Sequence, residues 1–421
     1  MPETYWLETL GCPKNRVDSD KLAGTLVADG YRPARRPEDA DLVVVNTCAF
    51  IEAAREESVD TVLALSEARH DGARLVVTGC LAERCGPELA AALPEVDLVA
   101  GFGTPVTLRR RNRFDLLELP RPAASAPWAY IKVAEGCDRR CGFCAIPSFR
   151  GGQRSRSVTA VLEEIEALGE KVREVVLVAQ DLASFGLDRA EATPRRRGSQ
   201  RPLVELVAKA AERVSRVRLL YLYPSSLDDA LIDAIAATGV PYFDLSLQHV
   251  ARPLLKRMRR FGDGARFLER IERIRATAPD AALRSSFILG YPGETEEDHD
   301  RLLAFLEQAE LDWAGFFPFS EEAGTYAAGL SEPVPPGLAV ERLNECAELQ
   351  DRITAQRRAD LVGRSVAVLV DAPRRGRSHR EAPEIDGLVH VPDALVPGEI
   401  VSVTVTAAAG PDLWAEAAGP R

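Results

Sequence analysis

"AYIKVAEGCDRRCGFCAIP", residues 129–147, decides how the middle of this chain folds. It opens on a short β-rich run, Ala129–Ala134, and breaks at a glycine into three cysteines spaced C-x3-C-x2-C: Cys137, Cys141 and Cys144. Five similar runs follow, at 173–180, 216–224, 241–248, 281–290 and 311–320, with helical patterns between them. Six βα-like units predict a partial TIM-type barrel rather than an open sheet. Chemistry in such barrels gathers just beyond the C-terminal ends of the strands, which is where the cysteines lie.

Toward the N-terminus the alternation is simpler. Apolar runs at Tyr5–Leu10, Asp41–Cys48, Ala73–Cys80 and Val96–Gly101 are separated by helical patterns at 17–29, up to about 68, and near 83–93. This predicts an open parallel α/β sheet. Cys12, Cys48 and Cys80 each close a strand and precede a helix, positions that share one edge of such a sheet, where ligands bind. The three thiols can therefore converge, although three buried cysteines of ordinary core strands fit the spacing too. Cys85 and Cys346 have no matching context and read as non-ligands.

A Pro/Ala/Arg-rich stretch at 104–128 reads as an interdomain connection. Its Arg109–Arg113 run reads as a solvated face, with nucleic-acid contact the lesser reading. The stretch Asp188–Pro202 reads as a flexible insertion. After a polar helix, Val340–Arg358, short strands broken by glycine and proline predict a small β-barrel of the OB type. The expected domains are 1–105, a linker 106–126, 127–358 and 359–421.

The bulk numbers fit this plan. The chain has 421 residues, 46% of them hydrophobic, and a formal net charge of −11, which argues against extensive phosphate-backbone contact. No stretch is long and apolar enough to span a membrane, and the first residues lack a secretory pattern, so a cytoplasmic location is expected. In a reducing compartment, clustered thiols are more often metal ligands or catalytic groups than disulfides.

Three thiolates on one short loop can ligate three irons of a four-iron four-sulfur cluster and leave the fourth iron open. A structural zinc site, the competing reading, normally takes four protein ligands, and no fourth cysteine or histidine lies close by. With Phe143 before the last cysteine, the motif resembles that of the radical S-adenosylmethionine (SAM) enzymes. The resemblance implies that Cys137, Cys141 and Cys144 carry a cluster whose open iron binds SAM, and that the reduced cluster cleaves SAM to a 5′-deoxyadenosyl radical. It also implies that SAM is held by Phe143 and by the strand-end residues Gln180, Gln248, Gly290, Gly293 and Glu294. Turn glycines and a helix N-cap are the plainer reading of the last three, and His249 reads as structural.

With the three-cysteine N-terminal domain and a terminal TRAM-like β-domain, the chain resembles the radical SAM methylthiotransferases over essentially its whole length. That family implies a second four-iron four-sulfur cluster, on Cys12, Cys48 and Cys80, carrying the sulfur to be transferred. SAM then serves as both methyl donor and radical source. "GCPKN" (11–15), "YLYPSS", "FPFSEEAGTYAAGL" (317–330) and "APEIDG" (382–387) resemble the branch that methylthiolates the β-carbon of an aspartate in the twelfth small-subunit ribosomal protein, free or in the ribosome. A flavodoxin- or ferredoxin-type electron donor is implied as well.

Residues 362–421 hold six basic and eight acidic residues, a net of −2, which suits a basic ribosomal protein better than RNA. The family's usual residues are replaced at Ser246, Leu182, Ala183 and Phe185, which puts individual substrate contacts in question. Two other functions compete: methylthiolation of adenosine in tRNA, which needs RNA binding by the terminal domain, and a non-catalytic iron–sulfur electron carrier or sensor, which needs no SAM site.

Overall fold

Strand β3 (Leu42–Thr47) has no polar face: all six residues are buried, as expected of a central parallel strand covered on both sides. In the computed structural model, which describes residues 3–107, 114–189 and 201–417, it lies at the centre of a five-stranded sheet. The flanking strands are β1 (Thr4–Thr9), β2 (Arg32–Pro33), β4 (Arg74–Gly79) and β5 (Leu98–Ala100), in the order β2-β1-β3-β4-β5 and all parallel. Alternation divides the core. Val43, Val45, Leu75 and Val77 face one apolar cluster, and Leu42, Val44 and Val76 the other. Register sets Thr9 opposite Asn46 and Thr47 opposite Gly79, so neighbouring strands end level. Helices α1 (Pro13–Ala28), α2 (Glu52–Ala68) and α3 (Cys80–Ala92) follow β1, β3 and β4. Strand β2 was not expected from the sequence; it is two exposed residues.

This sheet belongs to the first of two compact units, which comprises residues 1–123, 134–154 and 320–328. The second comprises 124–133, 155–319 and 329–421. The arginine run at 109–113 and most of the 188–202 stretch lie outside the described residues.

In the second unit the six expected strands are present: β6 (Trp128–Lys132), then, after the two-residue strands β7 (Ala134–Glu135) and β8 (Arg154–Ser155), β9 (Glu174–Val178), β10 (Arg216–Leu219), β11 (Tyr242–Gln248), β12 (Ala282–Leu289) and β13 (Trp313–Pro318). They form parallel sheets β10-β9-β6 and β11-β12-β13, joined by a parallel bridge between Leu222 and Leu245. The result is an open, six-stranded partial barrel. Helices α5 (Val158–Ala167), α6 (Pro202–Ala211), α7 (Asp229–Ala236), α9 (Gly264–Thr277) and α10 (Glu296–Ala309) connect the strands, with the short α8 (Arg252–Arg257) after β11; the short α4 (Ile146–Arg150), between β7 and β8, belongs to the first unit. A capping box, Thr295 with Asp298, starts α10.

The long helix α11 (Pro336–Ala359) buries a stripe that is largely polar. Gln350 donates to Leu311 O and Thr354 to Asp312 O, which gives two of these buried side chains main-chain partners. Next comes a closed barrel of β14 (Ser365–Ala372), β15 (Arg375–Arg377), β16 (Val389–His390), β17 (Ile400–Ala409) and β18 (Asp412–Ala417). Two of these, β15 and β18, were not expected, because an Arg-Gly-Arg run and a stretch bounded by Gly410 and Pro411 lack a strand's apolar signature. The terminal barrel docks at the N-terminal end of the parallel strands. Buried Glu174, first residue of β9, receives Arg218 of β10 at 2.8 Å and Arg377 of β15 at 3.2 Å, and Arg377 also pairs with Asp371 at 2.6 Å. Arg216 donates to Ala367 O and Arg377 O.

Candidate functional site

In the first unit, chain geometry gathers the three scattered cysteines. Cys12 is the N-cap of α1, in extended backbone, and Pro13 follows at the first helical position, where a missing N–H costs nothing. Gly11 before it has φ +89°. A Cβ there would stand 2.8 Å from Cys48 Cβ and 2.9 Å from Cys48 Sγ, so only glycine lets this turn run against Cys48. Asn15, one turn into α1, donates through Nδ2 to Leu10 O and Thr47 O, tying the helix to the ends of β1 and β3. Cys80 opens α3 directly from β4, and its Sγ lies 3.6 Å from Asn15 Oδ1.

Between these elements lies Arg150, the last residue of α4. One guanidinium nitrogen donates to Asn15 Oδ1 at 2.7 Å and to Cys80 Sγ at 3.0 Å; the other donates to Glu135 at 2.8 Å. Electrostatics then separate the thiols. Burial opposes ionisation of Cys12, but the charges of Lys14 and Arg150 and two backbone N–H groups outweigh it and hold that thiol below its ordinary value. Burial, then Cys80, pushes Cys48 up to about 11. Burial also raises Cys80, against the pull of Arg150. Sequence reasoning missed Arg150, Asn15 and Glu135; the Cys12–Asn15 spacing of one helical turn was the available clue.

The loop of Cys137, Cys141 and Cys144 lies in the same unit, and all three cysteines are half-buried. Gly136 (φ +75°) starts it, where a Cβ would come 2.1 Å from Gly152 O. The N–H of Cys137 donates to Gly151 O at 3.0 Å, that of Cys144 to Cys141 O at 3.2 Å, and that of Arg139 to Cys137 Sγ at 3.4 Å. The stretch 320–328 also joins this unit. Ala327 N–H donates to Gly142 O at 2.8 Å, and the buried Glu322 carboxylate takes Arg55 at 2.5 Å and Arg84 at 2.7 Å.

Among the described residues, no group of three or more His, Cys, Asp or Glu side chains is arranged to hold a single metal ion. What fits an iron–sulfur cluster is the donor set. There are two sets of three thiols, a glycine cradle beside one set and a main-chain N–H on sulfur in the other. Cys85 sits at a kink of α3, and Cys346 is wholly buried on α11, its thiol pushed up to about 12 by burial.

In the second unit, Gln180 and Gln248 stand half-buried just beyond β9 and at the end of β11. Gly290 and Gly293 have a packing reason: a Cβ on Gly290 would meet Ala339 Cβ at 2.7 Å, and one on Gly293 the Arg257 guanidinium at 2.5 Å. The Glu294 carboxylate is engaged within the turn. It accepts from Gly290 N at 2.6 Å and Tyr291 N at 3.2 Å and pairs with Arg342 at 3.2 Å. His249 is buried, and burial lowers its pKa to about 4. Leu182, Ala183 and Phe185 are buried packing residues.

Residues 4–101 match Uncharacterized protein family UPF0004, residues 131–306 the radical SAM superfamily, and residues 362–418 the TRAM domain. The superfamily match brings an iron–sulfur cluster and SAM as cofactors. A ribosomal protein uS12 methylthiotransferase RimO of Anaeromyxobacter sp. (strain Fw109-5) is 42% identical over 97% of this chain and 92% of its own length. The protein of that name from Cutibacterium acnes is 39% identical over 99% and 98%, and that from Moorella thermoacetica 41% over 94% and 95%. A solved radical SAM methyltransferase, TsrM of Kitasatospora setae, shares 16% identity over 78% of this chain and 77% of its own, with a TM-score of 0.48, too remote to carry residues across. By its full-length relatives, this chain belongs to the ribosomal protein uS12 methylthiotransferase family.

Proposed function

We propose that this chain is a radical SAM methylthiotransferase that replaces a β-hydrogen of an aspartate in ribosomal protein uS12 with a methylthio group. The observation that carries the reading is the meeting of Cys12, Cys48 and Cys80 around Asn15 and Arg150, in the unit that also holds the C-x3-C-x2-C loop. Cys137, Cys141 and Cys144 hold one four-iron cluster; Cys12, Cys48 and Cys80 hold a second. When bound, these clusters and SAM supply the radical and the transferable sulfur.

The chain's own residues position that chemistry. The N–H of Arg139 steadies the Cys137 sulfur. Gly11 and Asn15 fix the turn that presents Cys12. Glu294, pinned by Arg342, shapes the 290–294 turn of the second unit, where Gln180, Gln248, Gly290 and Gly293 offer contacts to SAM; Phe143 lies on the cysteine loop of the first unit. Residues 1–105 form the second-cluster domain, 106–126 a linker, 127–358 the radical SAM domain and 359–421 the TRAM domain. On the terminal barrel, Glu384, Asp393, Glu399 and Glu416 are exposed against Arg364, Arg374 and Arg375, a balance that favours a basic protein over RNA. The reaction takes place in the cytoplasm, with electrons from a flavodoxin- or ferredoxin-type protein. Among the described residues, no helix is long and apolar enough to cross a membrane.

The test is direct. Anaerobically reconstituted protein with SAM and dithionite is incubated with free uS12 and with small ribosomal subunits. Mass spectrometry should find one methylthio group in place of one hydrogen on an aspartate. Unmodified uS12 beside methylthiolated tRNA would overturn the reading.

A further inference from the structure

A buried cation, Arg150, stands beside the three-cysteine site with its role there still to be assigned. The Arg150 side chain is 3% exposed, with Glu135 on one side at 2.8 Å and Asp18 at 3.5 Å. Its guanidinium lies over the Phe102 ring, 4.5 Å from the centroid. Those contacts suffice to keep a buried arginine charged. Yet the second nitrogen points the other way, 3.0 Å from Cys80 Sγ and 2.7 Å from Asn15 Oδ1. Asn15 is the residue that ties the Cys12 turn to the strand ending at Cys48. A planar donor fork held from three sides has little freedom left, so its N–H toward sulfur is pre-aimed.

Resting on the two-cluster reading, we propose that Arg150 is a positioning residue of the Cys12–Cys48–Cys80 site, donating a charge-assisted hydrogen bond to the Cys80 sulfur and raising the cluster's reduction potential. Cluster potentials follow net charge, hydrogen bonds to the sulfurs and exposure. A fixed positive charge in a buried site stabilises the added electron. Arg150 also lies six residues beyond Cys144, so the segment carrying one set of cysteines contributes this donor to the other.

The experiment uses the full chain with Cys137, Cys141 and Cys144 changed to alanine, reconstituted anaerobically so that only the second cluster loads. With guanidino-15N-arginine incorporated, pulsed electron paramagnetic resonance of the dithionite-reduced cluster should show one 15N coupling, absent from Arg150→Lys. Potentiometric titration should place Arg150→Gln about tenfold down in its reduction equilibrium, about 59 mV for one electron, and Arg150→Lys should recover most of that. The labelling arm needs no variant at Arg150, so a misfolded variant does not leave the proposal untested. A cluster without arginine 15N coupling overturns it, as does an Arg150→Gln potential equal to the parent's. Failure of the cysteine-to-alanine chain to bind about four irons instead overturns the two-cluster reading.

Discussion

Glu174→Gln should weaken the joint between the parallel barrel and the terminal β-barrel. Glu174 has no solvent exposure, and Arg218 and Arg377 both address its carboxylate. Glutamine keeps the shape and removes the charge, leaving two buried guanidinium groups short of a counter-ion. Breaking a buried pair from one side costs about 3–5 kcal/mol. The acid–base behaviour gives an independent figure. Burial pushes this carboxyl up, but Arg377, Arg218 and Arg216 overcome it and set it at about 2 rather than 4.5. At about 1.4 kcal/mol per pH unit, that difference is on the order of 3 kcal/mol. Arg377 retains Asp371 and Arg218 retains the carbonyl of His379, so the lower end of the first range is expected.

Because the folded-state value is depressed, the contribution is complete above about pH 4.5 and is lost as the pH falls toward 2. Urea unfolding followed by tryptophan fluorescence is well placed to read it: Trp128 lies beside Arg377 and Trp313 beside Arg358. At pH 7 the variant should unfold at clearly lower urea. Between pH 5 and 3 the parent should lose more stability than the variant. A Glu174→Gln protein within about 1 kcal/mol of the parent at pH 7 would refute the reasoning.

Changing Cys12, Cys48 or Cys80 to alanine should lower bound iron by about half, leaving SAM cleavage intact and abolishing methylthiolation; full iron content in these variants would contradict the assignment. Gly11→Ala meets Cys48 at 2.8 Å and requires positive φ, so it should lose about 1–3 kcal/mol and part of its iron, read by chemical denaturation and iron assay. Glu322→Gln leaves Arg55 and Arg84 without their shared buried carboxylate; protease cleavage within 317–330 should become faster, with the parent's rate as the contrary result.

Much of this was legible in the sequence because it rests on runs of apolar residues. The six barrel strands and four of the five N-terminal ones announce themselves as β-rich segments, and the cysteines mark four strand ends, three of them singly and one as a triplet. Arg150 was not legible. An arginine after "IPSF" looks like any surface residue, and only folding brings Glu135, Asn15 and Cys80 to it across 15, 135 and 70 residues. Polar stripes fail for a related reason: α11 reads only as a polar helix, and folding alone pairs Gln350 Nε2 with Leu311 O, Thr354 with Asp312 O and Arg358 with Glu381. Gly290 and Gly293 read as openings for a ligand, and folding adds a packing reason for each, with Ala339 beside one and Arg257 beside the other.

The ionic seam at Glu174 has a consequence for how such chains diversify. Its members, Glu174, Arg216, Arg218, Asp371 and Arg377, sit at the opposite end of the parallel strands from Gln180, Gln248 and Gly290. A terminal barrel can therefore change its outward surface without disturbing the strand ends at Gln180, Gln248 and Gly290. The seam also works as a code. An incoming barrel without a cation at the place of Arg377 would leave Glu174 to Arg218 and Arg216 alone, so a barrel that carries the matching arginine docks with the fuller charge balance.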